Sequence, residues 1–530
     1  MKRTDAVIIG AGLNGLVAAA RLATAGLNVL VLERSARVGG AHASAELAPG
    51  FRSPTIALSN VYFPTELARE FSLASRGLRM VRREGGISLF EDGTYFAGYA
   101  DEQVMRREIA RHSRRDADAW PRFVKDMRFQ ATHVKALLLE TPFDPSQRSV
   151  MGVRHMIGRA RDVFEKSPQT LYDITRFWSL SLNDLLGQYF ESKAVISHIA
   201  GSALVGHAIG PDEPTGAALL VPRWFEGDEG GMPWRQTPVG GMQALIDMMS
   251  DVARDKGVEI RCDAEVTDIK LVKMKAKSLL LADGEEIEAG FILSDLDAKR
   301  SFLNLFEWSS LPKGFVADIS HVRMEGAVAR ANFALKEMPH FTHLPDGIPA
   351  LSGGLMIGSD VLNMARAHED WLDHCPPSRP MIEISIPTLE DPSLAPDGGH
   401  IFSIAIQFVP HELHDGVWSP ARRKALMETI KQMITRHAPN FGECILAEKL
   451  RVPADMEDEM GYTRGDLSLG HMSLDQMYFN RPVPGSSAYQ SPVKNFFLCS
   501  ASTHPAGLAL GASGANAAAE ILRTQRSKRR

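Results

Sequence analysis

The chain has 530 residues, 44% of them hydrophobic and 23% charged, with a formal net charge of −5. At roughly 100–200 residues per domain this is too long for one simple core, so two or three lobes are expected. The composition excludes disorder over most of the chain, and the balanced charge offers no whole-protein attraction to nucleic acid.

Met1-Lys2-Arg3-Thr4 leads straight into the first apolar run, so no signal peptide is expected, and no run of about 20 apolar residues predicts a membrane-spanning helix. Asp5 to Ile9 reads as a buried strand. Leu13 to Ala25, closed by Gly26, reads as a helix, and Val29 to Leu32 as a second buried strand. Phe123, Met127, Ala131, Val134 and Leu138 recur at helical spacing and predict a helix from Asp116 to Leu139. Its stripe reads as core ahead of the wall of a substrate channel. The Gly- and Pro-rich stretch from Pro222 to Gly241 reads as a crossing between lobes. A helix from Gln243 to Lys256, stopped by Gly257, precedes strands at Val258–Ile260, Glu265–Ile269 and Lys277–Leu281, with a turn at Asp283-Gly284.

Period-two alternation places Ala327, Ala329, Ala331 and Phe333 on one face, and Ile382, Ile384 and Ile386 likewise. With a strand from Ile401 to Val409, these predict a mixed or antiparallel sheet in a second lobe. Pro376 to Gly399 reads as long surface connections around one strand. Ser419-Pro420 starts a helix with the stripe Leu426, Ile430, Met433 and Ile434. Arg523 to Arg530 carries five basic side chains and reads as a solvated tail. Cys262, Cys375, Cys444 and Cys499 form no CxxC pair, which disfavours a disulfide scaffold, a structural zinc site and a dithiol redox centre. Isolated thiols fit a reducing compartment, hence a cytoplasmic protein, with peripheral membrane contact left open.

Gly10-Ala11-Gly12-Leu13-Asn14-Gly15 is a GxGxxG between a strand and a helix, and Glu33 closes the next strand 18 residues after Gly15. Gly10 permits the tight turn, Gly12 lets backbone approach a diphosphate, and Gly15 lets helix and strand pack closely. The helix start offers unpaired N–H groups to phosphates. Glu33 is suited to accept from two ribose hydroxyls and would repel a 2′-phosphate, which disfavours NADP. Gly39-Gly40, six residues after Glu33, resembles the extended fingerprint of the FAD-binding glutathione-reductase-type fold. Arg34, Ala41 and His42 flank it as further candidate cofactor contacts.

Asp5 to Gly40 resembles the amino-terminus of the phytoene-desaturase-like flavoproteins, the carotenoid and retinoid oxidoreductase family. Within it, the likeness points to the branch called pyridine nucleotide-disulfide oxidoreductase domain-containing protein 2. GFRSPTIALSN at Gly50 to Asn60, GHMSLDQMYFNRPVPG at Gly470 to Gly485 and NFFLCSASTHPAGLALGASGANAAAEIL at Asn495 to Leu522 carry the same resemblance. It implies an α/β protein with a glutathione-reductase-type Rossmann FAD-binding lobe and a mixed-sheet and helical substrate lobe. The first would comprise residues 1–85, 232–300 and 455–530. The second would comprise 86–231 and 301–454, with a helical insertion. FAD would be non-covalent, with further contacts from Gly241 of the segment Pro238 to Met242, from Val266, and from Ser500, Pro505, Gly511 and Ala512. Phe496 to Cys499 would be a strand and Ala512 to Leu522 a helix aimed at the flavin. Pro505-Ala506-Gly507 stands where many relatives have a proline and several glycines, and Ser500 where glycine is common; both add bulk beside the ring.

His504 and His471 are the candidate catalytic residues, each able to act as a base or orient substrate. Their structural alternative is a hydrogen-bonded histidine supporting the flavin or a turn. The implied activity is FAD-dependent hydride transfer, a dehydrogenation or related double-bond chemistry, on an apolar, polyene or isoprenoid, substrate, with oxygen or a quinone as acceptor. No metal is expected. A flavin amine oxidase is a second reading, though the closing motif lacks the Tyr of that pattern. A third is an FAD-holding interaction or scaffold protein.

Overall fold

A computed structural model describes residues 4–56, 62–142, 167–226, 230–233 and 235–529. The last four residues of the Gly50–Asn60 motif and the end of the basic tail lie outside the described residues.

The first sheet has seven strands and a parallel centre. Strand β1 (Thr4–Ile9) pairs with β2 (Val29–Leu32) on one side and with the strand Glu286–Ser294 on the other. Helix α1 (Leu13–Thr24) connects β1 to β2. Glu259–Arg261 extends the sheet beyond β2. Strand Glu286–Ser294 serves two neighbourhoods. Its first half runs antiparallel to Lys275–Leu281, which in turn pairs with Val266–Val272. Its second half runs parallel to β1 and to Phe496–Leu498. The two extremes of the polypeptide therefore lie one strand apart.

β1 is apolar throughout because both its faces are covered. Ala6 and Ile8 pack with α1, the helix Gly241–Asp255 and the closing helix Ala512–Arg529. Val7 and Ile9 pack with Phe302, Phe315 and Phe496 on the opposite face.

The second sheet also has seven strands, in the order Ile445–Arg451, Val328–Leu335, His400–Gln407, Met381–Ser385, Leu355–Ile357, Gly86–Leu89 and Tyr95–Gly98. All pairings are antiparallel except Leu355–Ile357 with Gly86–Leu89. One face carries Ala329, Ala331, Phe333, Ile382, Ile384 and Ile404 against the helix Pro420–Thr435. The other face is also buried, although it carries Arg330, Asn332, Ser403 and Gln407. The alternation of Ala327 to Phe333 thus marks two buried faces of different chemistry.

A helical body built from Glu102–His112, Arg114–Lys135, Pro168–Ser179, Leu182–Leu186 and Lys193–Leu204 shares a core with Val328, Met356, Met381 and Ala405 of the second sheet and with Ala506, Ala509 and Ala512 near the end of the chain. The long helix starts two residues before the expected Asp116, because Ser113 caps it by accepting from the Asp116 N–H at 3.1 Å. It ends at Lys135, short of Leu139. Phe123, Met127 and Ala131 are core in a cluster with Trp120, Phe190 and Trp224. The crossing Pro222–Gly241 contains the strand Arg235–Pro238, paired antiparallel with Met80–Arg83. The strands Ser44–Ala48, Phe51–Pro54 and Met80–Arg83, and the pair Gly86–Leu89 and Tyr95–Gly98, carry no clear alternation and escaped the sequence reading. No helix among the described residues is long and apolar enough to cross a membrane.

Candidate functional site

A cleft of about 430 Å3 opens at the carboxyl ends of the parallel strands. Its floor is the turn between β1 and α1. The Gly10 N–H donates to Leu32 O at 2.8 Å, which closes the turn onto β2. A Cβ on Gly12 would stand 2.5 Å from Asp295 Oδ2, and one on Gly15 would stand 2.4 Å from Gly10 O. Only glycine fits either place, so this turn is a cradle that any side chain would fill.

At one end of the cleft is Glu33, 8% exposed. Its Oε2 accepts from the Ala11 N–H and its Oε1 from the Ser35 N–H, each at 2.9 Å. The carboxylate is fixed in place, and each oxygen keeps lone-pair capacity for a hydroxyl donor. Arg34, Val266, Ala264 and Glu265 border this end. Gly39, Gly40, Ala41 and His42 form the opposite wall, tied to the turn by the Gly39 N–H donating to Ala11 O at 3.0 Å. Burial pushes His42 down to about 4, so its imidazole is neutral. At the other end are Ala501, Gly507, Ala509 and Leu510 from the closing segment, with Leu469.

Gly10, Gly12, Leu13, Asn14, Glu33, Arg34, Gly39, Gly40, Ala41, His42 and Val266 therefore meet on one cleft. Gly15, Gly241, Ser500, Pro505, Gly511 and Ala512 stand behind its surface. Gly241 opens a helix, and Gly240 before it has φ +87 and donates to Asp391 Oδ2 at 2.5 Å; the pair shapes a helix start. That helix reaches the cleft wall indirectly, Gln243 Oε1 accepting from the Ser44 N–H at 3.1 Å. Ser500 is fully buried, and its neighbour Ala501 takes the exposed position, a shift of one residue along the segment. Gly511 packs on α1, where a Cβ would stand 2.9 Å from Val17 Cγ2. Ala512 is core.

The two candidate histidines stand elsewhere. The His504 ring bonds Leu137 O at 2.9 Å through Nε2, and burial pushes it down to about 4. Its own carbonyl accepts from the hydroxyls of Tyr489 and Ser513. This is the supporting arrangement: the ring anchors the end of the long helix to the closing segment. His471 Nε2 bonds Ala208 O at 2.8 Å, and burial lowers its pKa. Cys499 is fully buried at the end of its strand, with its thiol pushed well up by burial.

Sequence reading missed Asp295, Arg300 and Tyr462 on this cleft. Asp295 follows the strand Glu286–Ser294 and accepts from the Gly15 N–H at 3.0 Å. Burial, with Glu33 nearby, pushes it up to about 8, against the lowering effect of hydrogen bonds from Gly15, Asn14 and Gly12. At pH 7 it is uncharged and adds no negative charge to the turn. Arg300 donates to Gly461 O at 2.8 Å and, with Arg34 and Arg37, supplies positive charge at the cleft. The signal was positional and was hidden because the strand Glu286–Ser294 itself escaped the sequence reading: LSDLDAKR stands at its carboxyl end, where α/β sheets bind ligands.

The residues fit a dinucleotide with a flat ring. A buried carboxylate stands at one end, a glycine cradle and three arginines in the middle, and small residues at the far end.

Residues 13–522 match the family of flavin containing amine oxidoreductases. The chain is 31% identical over 549 residues to pyridine nucleotide-disulfide oxidoreductase domain-containing protein 2 of Mus musculus, with 98% of this chain and 93% of that one covered. It is 23% identical over 554 residues to the phytoene desaturase of Fusarium fujikuroi, with 98% and 89% covered. Among solved structures it is similar in fold to putrescine oxidase bound to putrescine, with a TM-score of 0.61, 16% identity, and 98% and 99% covered. An oxidoreductase from Methanosarcina mazei gives a TM-score of 0.59 at 17% identity, with 98% and 100% covered. The mixed α/β fold is thus that of FAD amine oxidase structures.

Proposed function

Because the chain belongs to the flavin-containing amine oxidoreductase family and is an FAD-dependent oxidoreductase, we propose that it transfers hydride from carbon of an apolar substrate, as in a dehydrogenation or desaturation. Bound FAD would supply the two-electron acceptor. The protein's part is positioning and charge. Gly10, Gly12 and the start of α1 would hold the diphosphate, with Arg34, Arg37 and Arg300 balancing its charge. Glu33 would accept from the ribose hydroxyls. Ala501, Gly507, Ala509 and Leu510 would face the ring, and the closing helix would set its positive end behind them.

In this reading the FAD-binding lobe is of the glutathione-reductase type and comprises residues 1–85, 232–300 and 455–530. The remaining segments form the substrate lobe. The cofactor is held without a covalent bond: no cysteine is among the described residues that line the cleft, and Cys499, just after the strand Phe496–Leu498, is fully buried. Oxygen or a quinone serves as the final acceptor.

The observation that supports the apolar-substrate reading is the lining at the far end of the cleft, where Leu469, Ala501, Gly507, Ala509 and Leu510 offer no charged or polar side chain. Anaerobic titration of the purified yellow protein with polyenes, isoprenoids and quinols is expected to bleach the oxidised flavin band with at least one of them. Reduction by none of these classes, with ready reduction by alkylamines, would replace this reading with amine oxidation.

A further inference from the structure

None of residues 470–485, the second of the three later motifs, lines the cofactor cleft, yet the loop they begin folds around a side chain that reaches its wall. That side chain is Arg481, 2% exposed. Its Nη2 donates to Ser468 O at 2.6 Å, and Nη1 and Nη2 both reach Gly470 O at 3.3 Å. Nη1 also donates to His471 O and Gln476 O, each at 3.2 Å. Gly470 has φ +134, and a Cβ there would stand 3.1 Å from the guanidinium, so glycine suits both the backbone and the space.

The remaining acceptor lies outside the loop. Arg481 Nε donates to Ala501 O at 2.9 Å, and Ala501 lines the far end of the cleft. Ser502 adds a second tie: its Oγ donates to Leu469 O at 2.8 Å and accepts from the Ala298 N–H at 3.0 Å. Leu469 lines the same end. The loop and the closing segment are thus pinned together where they meet the cleft, with the guanidinium one residue behind its surface.

The acceptors around Arg481 are main-chain carbonyls, which satisfy its N–H groups and leave its charge in place. Burial pushes it down to about 10, so it is a cation at pH 7. Asp466, the acid that answers this charge, spends Oδ1 on the Ser468 N–H and Oδ2 on the Gly470 N–H, each at 2.8 Å. The field of Arg481 reaches the closing segment, where it adds to the depression of His504. The side chains at the far end of the cleft carry no charge of their own. FAD gains negative charge when it takes up hydride, and a fixed cation in buried surroundings favours the charged form over the neutral one.

We propose that Arg481 is a positioning residue for the flavin: through Ala501 it fixes the wall beside the ring, and its charge, one residue behind that wall, favours reduced over oxidised FAD. This role rests on the ring lying beside Ala501, as in the function proposed above.

The test uses the FAD-loaded protein and reads the midpoint potential of bound FAD by equilibration with a reference dye. In Arg481→Gln the preference for reduced over oxidised FAD should fall about tenfold, which lowers the midpoint by about 30 mV. Arg481→Lys loses the same forked contacts and keeps the charge, so its unfolding temperature should fall with that of Arg481→Gln while its potential stays close to the parent's. Asp466→Asn leaves Arg481 in place and removes the opposing charge, so the potential should rise; this variant decides the matter if neither Arg481 variant folds. An unchanged potential in Arg481→Gln, an equal fall in Arg481→Lys, or no rise in Asp466→Asn would overturn the proposal. Ala501→Phe tells this failure from that of the underlying reading. It is expected to perturb the flavin absorption spectrum or to lose flavin. A perturbed Ala501→Phe beside a potential that ignores Arg481 overturns the role of Arg481 alone, whereas parental flavin content and spectrum in Ala501→Phe overturn the placement of the ring and this role with it.

Discussion

The two seven-stranded sheets solve different problems with the same number of strands. The first is buried on both faces by apolar side chains, and its cleft opens at the carboxyl ends of its central strands, where glycines let backbone and carboxylates crowd together. The second keeps one face for an apolar core and buries a row of polar and charged side chains on the other. In the first sheet chemistry is done by what is missing, the Cβ of Gly12 above all. The second sheet's buried polar face is defined by what is placed there, Arg330, Asn332, Ser403 and Glu383. The cleft at the first sheet is shaped by backbone, and the buried polar face of the second by side chains.

Changes confined to one sheet should therefore fail in different ways. The largest effect is expected from Gly12→Val, whose side chain would collide with Asp295. Flavin should be lost altogether, seen as a colourless protein with its fold intact by circular dichroism. Phe333→Ala in the second sheet removes a fully buried ring. About 3–5 kcal/mol of stability should be lost, measured by urea unfolding, with FAD still bound at low temperature. If flavin loss accompanied both equally, the two sheets would not be separable in this way.

Asp295→Asn sharpens the comparison by titration. The folded pKa of Asp295 lies at about 8, above its unfolded value of 3.8. Its contribution to stability is complete below about pH 4 and is lost as pH rises to about 8. The slope is at most about 1.4 kcal/mol per pH unit. The asparagine variant should gain relative to the parent protein across that window. It should also hold FAD more tightly above pH 8, where the parent carboxylate turns anionic beside the diphosphate; fluorescence titration of FAD against pH measures this. The smallest effect is expected from Ala506→Gly. Ala506 adopts φ +64, which an alanine adopts only at a cost, so glycine there should stabilise by about 0.5–1 kcal/mol in thermal unfolding.

The same contrast explains what could be read from the residues alone. β1, α1, β2 and the cradle were legible because glycine spacing and a terminal acid report backbone geometry directly. The helix Gly241–Asp255 and the strands Val266–Val272 and Lys275–Leu281 followed from periodicity and terminating glycines. Asp295 and Arg300 were not legible. Their meaning depends on burial and on partners far along the chain, Gly15 for Asp295 and Gly461 for Arg300, and no local pattern sets them apart from surface charges. The exact register of Ser500 to Ala512 was hidden for a related reason. Its small residues are nearly interchangeable by type, and only packing decides that Ala501 and not Ser500 meets the cleft. His504 drew attention by its position in a motif, yet its ring is spent on Leu137.

The strand Glu286–Ser294 has a consequence for how the protein matures. It must be flanked by residues 4–9 on one side and 496–498 on the other before the cleft has both its ends. During synthesis the glycine turn leaves the ribosome hundreds of residues ahead of the closing segment at the other end of the cleft, so the cleft is completed late. Until then the flank of Glu286–Ser294 that Phe496–Leu498 will cover is an unpaired sheet edge, the kind of surface that chaperones shield and that aggregates when they are scarce.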